Sequence, residues 1–158
     1  MKRTILITVF AAMTAIFTVS CGGKEESKIP KNMDELWGTT WECKSTNDKS
    51  STSDKEIQQE YFDNGYVFRV SFVTADSIVW AAYQLPDLTP LTPVVLTAST
   101  YTKPDLFYTK SNNYFTNFND KPFRGELETP EKFCTFDEDG YLISNRPEGI
   151  SWYYTKIK

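Results

Sequence analysis

Turn signals recur along this sequence at short intervals and favour strands over helices. Gly, Pro, Asn and Asp cluster at residues 63–65, 103–105 and 137–140, and the segments between such clusters are rich in aromatic and β-branched side chains. In residues 66–72 the side chains alternate with the period of a strand. No segment of useful length has helical periodicity, so the sequence predicts an all-β chain, as a barrel or a sandwich.

Two stretches of the sequence favour loops. Residues 44–60 are polar and rich in Ser, Thr, Asp and Lys, and we predict a long first loop with room for a short helical turn. Residues 85–93 contain Pro86, Pro90 and Pro93, whose missing backbone donors argue against a central strand and for an extended surface loop.

The N-terminus has the pattern of an export signal. Lys2 and Arg3 precede an uncharged, largely apolar run at residues 4–19, which is shorter than the roughly 20 residues of a membrane span. Ser20 is the small residue that a signal peptidase requires beside its cleavage site, and Cys21 follows it directly.

Residues 18–21, Thr-Val-Ser-Cys, resemble the lipobox of bacterial lipoproteins, although that family prefers leucine where this chain has the threonine. The resemblance implies a signal peptide at residues 1–20 and acylation of Cys21 with chains such as palmitate. An uncleaved anchor helix and an ordinary secretory signal are the alternatives. A flexible tether is then predicted for residues 21–35 and the folded domain for residues 36–158.

The residues that follow Cys21 bear on the cellular location of the protein. Residues 22–26, Gly-Gly-Lys-Glu-Glu, resemble the charged export signal of Bacteroidota lipoproteins that reach the cell surface. The resemblance implies an outer-membrane lipoprotein exposed on the surface, with a periplasm-facing lipoprotein as the alternative. A polar tether without signal function would have the same composition.

Composition limits the classes of function. The chain has 17 Lys and Arg against 21 Asp and Glu, a formal charge of −4, and no basic stripe, so we expect no nucleic-acid partner. It has no His, the commonest general base near neutral pH and the commonest metal ligand. No nucleophile–base pair or metal cluster emerges, and we expect neither an enzyme nor a bound metal or cofactor.

The domain resembles the lipocalin-like lipoproteins of Bacteroidota. The resemblance rests on the opening Leu-Trp-Gly-Thr-Thr-Trp at residues 36–41, on the aromatic strand, Asp-Gly and Leu-Ile pattern of residues 133–143, and on the closing Tyr-x-Lys at residues 154–156. It implies a single antiparallel up-and-down β-barrel of about eight strands. A β-sandwich is the alternative.

Aromatic residues, 15% of the chain, are the main candidates for ligand contact, either as stacking platforms for a glycan or as an apolar lining for a small ligand. The same side chains fill the interior of small barrels, so a role in the core is favoured over ligand contact. The residues concerned are Trp41, Phe68, Val70, Trp80, Trp152 and Tyr154.

The favoured function is therefore non-catalytic binding of a small apolar or amphipathic ligand in the barrel. The alternative is an interaction module, with a barrel filled by side chains, that serves as an accessory subunit of an outer-membrane or glycan-uptake complex. A ligand cavity would discriminate the two. The partners that we expect are the membrane, through the lipid, and either a small apolar ligand or an envelope protein.

Three further features have two readings each. Cys43 and Cys134 form either a disulfide or two buried thiols. Ser77 follows Asp76 in a tripeptide that resembles an O-glycosylation acceptor of Bacteroidota, but such tripeptides also occur by chance. Residues 137–140, Asp-Glu-Asp-Gly, suggest half of a calcium loop, but apolar residues follow and a hairpin turn is favoured.

Replacing the predicted lipid-attachment residue tests the N-terminal reading. The Cys21→Ala chain should not incorporate a labelled fatty acid, because the thiol that accepts the acyl group is absent, and its precursor should stall or be released. Incorporation equal to that of the unaltered chain would contradict the lipoprotein prediction.

Overall fold

The computed structural model describes residues 28–74, 77–111, 125–145 and 149–158. These residues form a closed antiparallel barrel in which each strand pairs with the next along the chain and the last strand pairs with the first. The strands are β1 (Thr40–Cys43), β2 (Tyr66–Thr74), β3 (Ser77–Gln84), β4 (Thr89–Thr102), β5 (Asp105–Ser111), β6 (Gly125–Phe136), β7 (Leu142–Asn145) and β8 (Ser151–Lys156). The predicted up-and-down barrel of eight strands is confirmed, and closure excludes the sandwich.

Side chains alternate between the interior and the outer surface of the barrel. In β2, Phe68 and Val70 are buried inside, whereas Arg69 between them lies outside and donates from Nε to Glu42 of β1 at 2.9 Å. Burial of apolar side chains is the dominant favourable term in folding. The buried core is made of Leu36, Trp41, Cys43, Phe68, Val70, Phe72, Ile78, Val94, Leu96, Leu106, Phe133, Cys134, Phe136, Leu142, Ile150, Trp152 and Tyr154.

Part of the predicted proline-rich loop is a strand. Pro90 and Pro93 lie within β4, where Pro90 pairs with Tyr83 of β3 and Pro93 falls at a shift of the β3–β4 register. Among the described residues, β5 pairs with β4 only from Leu96 onwards, so this first part of β4 has one hydrogen-bonded neighbour. Strands tolerate proline at an edge or a bulge because no N–H donor is needed there.

The predicted first loop contains a helix, and the expectation that no helix of useful length exists was wrong. Helix α1 has 12 residues, Thr52–Asp63, and Ser51 caps its N-terminus by accepting from the backbone N–H of Asp54. It ends before Gly65, whose φ of +78° is a left-handed conformation that glycine adopts without strain. Its apolar periodicity is weak because the buried side chain, Gln58, is polar.

Helix α1 covers the end of the barrel at which β1 ends and β2 begins. The ring centres of Tyr61 and Phe62 lie 5.7 and 6.1 Å from that of Trp152, in edge-to-face contact. The Nε2 atom of Gln58 donates to the carbonyl oxygen of Ser151, the first residue of β8, at 2.8 Å. The helix is thus joined to the barrel by ring packing and by a part-buried hydrogen bond.

The chain that precedes β1 covers the opposite end, through a short 3₁₀ helix (Met33–Glu35) and the residues around it. Trp37 packs edge-to-face on Phe72, with ring centres 6.2 Å apart. Tyr101 donates its hydroxyl to the carbonyl oxygen of Pro30 at 2.7 Å, and burial raises the pKa of Tyr101 to about 12, so the donor keeps its proton near neutral pH. The packed chain therefore begins earlier than the predicted end of the tether at residue 35.

Two glutamines on α1 form a matched pair for testing how the helix is held. Gln58→Ala should lower the free energy of unfolding by about 1–3 kcal/mol, because the carbonyl of Ser151 loses its donor. Gln59 is exposed and, among the described residues, donates within the helix to Asp63, so Gln59→Ala should stay within about 0.5 kcal/mol of the unaltered chain. Urea unfolding of residues 22–158 measures both. Equal losses would contradict the described docking of α1.

Candidate functional site

The six residues predicted as core or ligand contacts lie together inside the barrel. Trp80 is half-buried, and the other five are buried. The ring of Phe68 lies 4.6 Å from Trp152 and 6.0 Å from Trp80, centre to centre, and stacks on the latter. The Nε1 atom of Trp80 donates to the hydroxyl of Tyr154 at 3.0 Å. Five of these side chains belong to the buried core, and Trp80 packs against it.

Cys43 and Cys134 are buried thiols on strands that are not neighbours, and no disulfide joins them. Cys43 of β1 pairs with Phe68 of β2, whereas Cys134 of β6 pairs with Leu106 and Ser144 on the strands to either side. Burial raises the pKa of the Cys134 thiol well above its usual value, so it stays protonated and unreactive. Of the two sequence-based alternatives, the structure has the pair of thiols.

The modification sites stay predictions. Ser77 is the first residue of β3, where it is half-buried and pairs with Thr74. The preceding Asp76, which completes the acceptor tripeptide, lies outside the described residues. Cys21 and the whole predicted signal peptide also lie outside them.

The acidic turn at residues 137–140 joins β6 to β7, as predicted for a hairpin. The backbone N–H of Asp137 donates to the carbonyl of Tyr141 at 3.0 Å, and the N–H of Tyr141 donates to the Asp137 side chain at 2.8 Å. Within the described ranges, no group of three or more His, Cys, Asp or Glu residues is placed to hold a metal ion.

A polar cleft of about 540 Å³ lies on the outer wall of the barrel. We call it the outer cleft. It opens between the loop after β1, the β6–β7 turn and the outward side chains of β8. Tyr153 and Thr155 face it because their neighbours Trp152 and Tyr154 point into the core. The lining residues with charged or aromatic side chains are Lys28, Glu42, Lys44, Asp48, Lys49, Asp139, Tyr141 and Tyr153.

Lys49 fastens the loop after β1 to the β6–β7 turn. Its Nζ lies 2.5 Å from a carboxylate oxygen of Asp137, 2.5 Å from one of Asp139, and 5.4 Å from the ring centre of Tyr141. Hydrogen bonds to the two carboxylates raise the pKa of Lys49, and the bond from Lys49 lowers the pKa of Asp139. Lys49 and Asp139 therefore stay charged across the neutral range.

Glu42 of β1 also lines the outer cleft. It is buried although it points away from the core, and its carboxylate lies 2.7 Å from the guanidinium of Arg69 and 3.3 Å from the ammonium of Lys44. A buried carboxylate is stable only when it is paired in this way. The lining as a whole has three lysines and three carboxylates, so the cleft is polar without a net charge.

Sequence reasoning did not find the outer cleft. The loop that lines it is joined to the β6–β7 turn by a contact between Lys49 and Asp137, which are 88 positions apart. The sequence identified the turn at residues 137–140 and the polar character of residues 44–60 but contained no local signal that they meet. The two tyrosines of the cleft lie on or beside strands. Aromatic residues are common in strands, so their presence there does not indicate a binding site.

Comparisons with known proteins do not identify a family. The chain has no significant match to a protein-family model, to a curated protein or to a solved structure. In the part of the chain that the structure describes, no helix is both long and apolar enough to cross a membrane.

The state of the two core cysteines is open to direct titration. In denaturant without reductant, a thiol reagent should react with both thiols of residues 22–158, and reaction with the folded chain should be much slower because both sulfurs are buried. Cys43→Ser should leave one reactive thiol. A chain that reacts only after reduction, with an intact mass higher by about 2 Da, would instead contain the disulfide.

Proposed function

We propose that this protein is an envelope-anchored lipoprotein whose lipocalin-like barrel is a non-catalytic binding module that acts through its outer surface. The observation that carries the proposal is the packing at the centre of the barrel, where Phe68 lies between Trp80 and Trp152. Helix α1 and the chain before β1 cover the two ends. Of the two functions considered from the sequence, these contacts favour the interaction module.

A ligand in the interior would compete with those rings for the same space. An eight-stranded barrel is just wide enough to be filled by side chains or to hold one small ligand. Removing a core Phe or Trp side chain typically costs about 3–5 kcal/mol, and a displaced ring would lose much of the same packing. Binding at the outer surface has no such cost.

The position of the predicted lipid supports a module held close to a membrane. Lys28 lies seven residues after Cys21, and a fully extended chain of that length spans at most about 25 Å. Lys28 also lines the outer cleft, so the cleft would stay on the side of the barrel from which the anchor leaves. The outer membrane, with the module on the cell surface, is the location that we propose, and a periplasm-facing module is the alternative.

Native mass spectrometry of residues 22–158, purified without detergent, tests the proposal. The mass should equal that of the bare chain and should not change after exposure to lipid extracts, because the rings occupy the interior. A discrete excess mass that is lost on denaturation would contradict the proposal and favour a ligand-carrying barrel.

A variant with an opened interior provides the positive control for that measurement. Phe68→Ala removes the ring between Trp80 and Trp152, and a dry apolar space of this kind binds small apolar molecules such as benzene. The variant should therefore retain benzene under conditions in which the unaltered chain does not. Equal retention by both chains would show that the interior is already accessible.

A further inference from the structure

We infer that the outer cleft is a binding site for a neutral or zwitterionic saccharide. The inference rests on the proposed function, because it names the ligand class of a module that binds through its outer surface. It is carried by four properties of the cleft, which are its balanced charge, its aromatic rings, its size and its fixed loop.

The charged groups of the cleft favour a ligand that both donates and accepts hydrogen bonds. Lysine ammonium groups only donate, ionised carboxylates only accept, and the Asn47 amide does both. A sugar hydroxyl also does both, so it can bond to each kind of group. A strongly acidic ligand would be repelled by the carboxylates of Glu42, Asp48 and Asp139. A strongly basic ligand would be repelled by the lysine ammonium groups.

Two tyrosine rings supply the apolar part of the site. Tyr141 and Tyr153 meet edge-to-face, with ring centres 6.1 Å apart. Lys49 lies over the Tyr141 ring, so Tyr153 on β8 is the ring that we assign as the stacking platform. A pyranose presents C–H groups on one face and hydroxyls around its edge. The C–H face can pack on the tyrosine ring while the hydroxyls bond to the polar groups around it.

The size and the fixed shape of the cleft suit a small ligand. Its volume of about 540 Å³ falls within the roughly 300–1,000 Å³ of small-molecule pockets. The ion pairs of Lys49 with Asp137 and Asp139 fix the loop after β1, which lines the cleft. The loop therefore loses little conformational entropy when a ligand binds.

The N-terminal chain runs along the rim of the cleft. A β-carbon placed on Gly140 would lie 2.8 Å from the Cβ of Lys28, so the two segments are in close contact. With the predicted anchor only seven residues away, a saccharide could come from a free glycan or from the headgroup of a membrane glycolipid. The chemistry recognised by the cleft is the same for both.

A glycan array tests the site with the full chain, purified in a detergent without a sugar headgroup. We expect binding to neutral or zwitterionic glycans, weakened roughly tenfold in Tyr153→Ala, which removes the platform. Tyr108→Ala is the matched control and should bind like the unaltered chain. Tyr108 is a half-buried tyrosine on β5 whose hydroxyl donates to Glu131, and neither residue lines the cleft.

A second pair of variants covers the case in which Tyr153→Ala does not fold, as judged by thermal unfolding. Asp48→Ala removes the carboxylate of an exposed loop residue of the cleft, whereas Asp87→Ala makes the same change at an exposed residue of the β3–β4 turn. Only the first should weaken glycan binding. Both positions are exposed, so neither change should affect folding.

Three outcomes would overturn the inference: no glycan bound, binding confined to acidic glycans, or undiminished binding by the cleft variants. The last would move the saccharide site elsewhere on the barrel and leave the proposed function standing. Occupancy of the interior is decided separately by native mass spectrometry, so the two proposals fail independently.

Two arms distinguish the sources of the saccharide. Soluble oligosaccharide should displace the array signal if a free glycan is sufficient. Binding to vesicles that contain glycolipid, without displacement by the soluble sugar, would assign the lipid-linked form. Either result supports the cleft as a saccharide site.

Discussion

The short seam between β1 and β8 is the contact on which the rest of the structure depends. Its register has two residue pairs, Trp41 with Lys156 and Glu42 with Thr155, and hydrogen bonds from the last two residues to the carbonyl of Thr40 extend it. Without this seam the sheet would have two open edges, and its inner side chains would face water. Trp41 of this seam points into the core, and Glu42 and Thr155 line the outer cleft, so closure builds the interior and the wall of the outer cleft together.

Closure with eight strands also explains why the sequence could not separate core residues from ligand contacts. A barrel of this size has room inside for packed side chains or for one small ligand, and the same inward positions serve either purpose. Phe68 and Trp152 would point inward in both cases. What distinguishes the two is the distance between rings on strands that are far apart in sequence, such as the 4.6 Å between these two ring centres.

The local signals in the sequence predicted most of the barrel, and the failures have physical causes. Alternation identified β2, and the Asp-Gly sequence identified the turn between β6 and β7. Helix α1 was missed because its buried contact is made by Gln58, a polar residue that adds nothing to an apolar stripe. The strand at Pro90 and Pro93 was missed because proline is excluded from strands with hydrogen-bonded neighbours on both sides. Among the described residues, this part of β4 pairs with β3 alone, so proline is tolerated.

The outer cleft depends on contacts that no local pattern encodes, yet it does not depend on one ion pair. An exposed ion pair is screened by solvent and usually contributes too little stability to order a long free loop. The loop that carries Lys49 is short and already fixed at both ends, by Cys43 in β1 and by the helix cap at Ser51. Little conformational entropy is then left to lose, so a weak contact with Asp137 and Asp139 is enough to set its position. The shape of the cleft thus follows from the closure of the barrel and the capping of α1, and Lys49 selects among the few conformations that they leave.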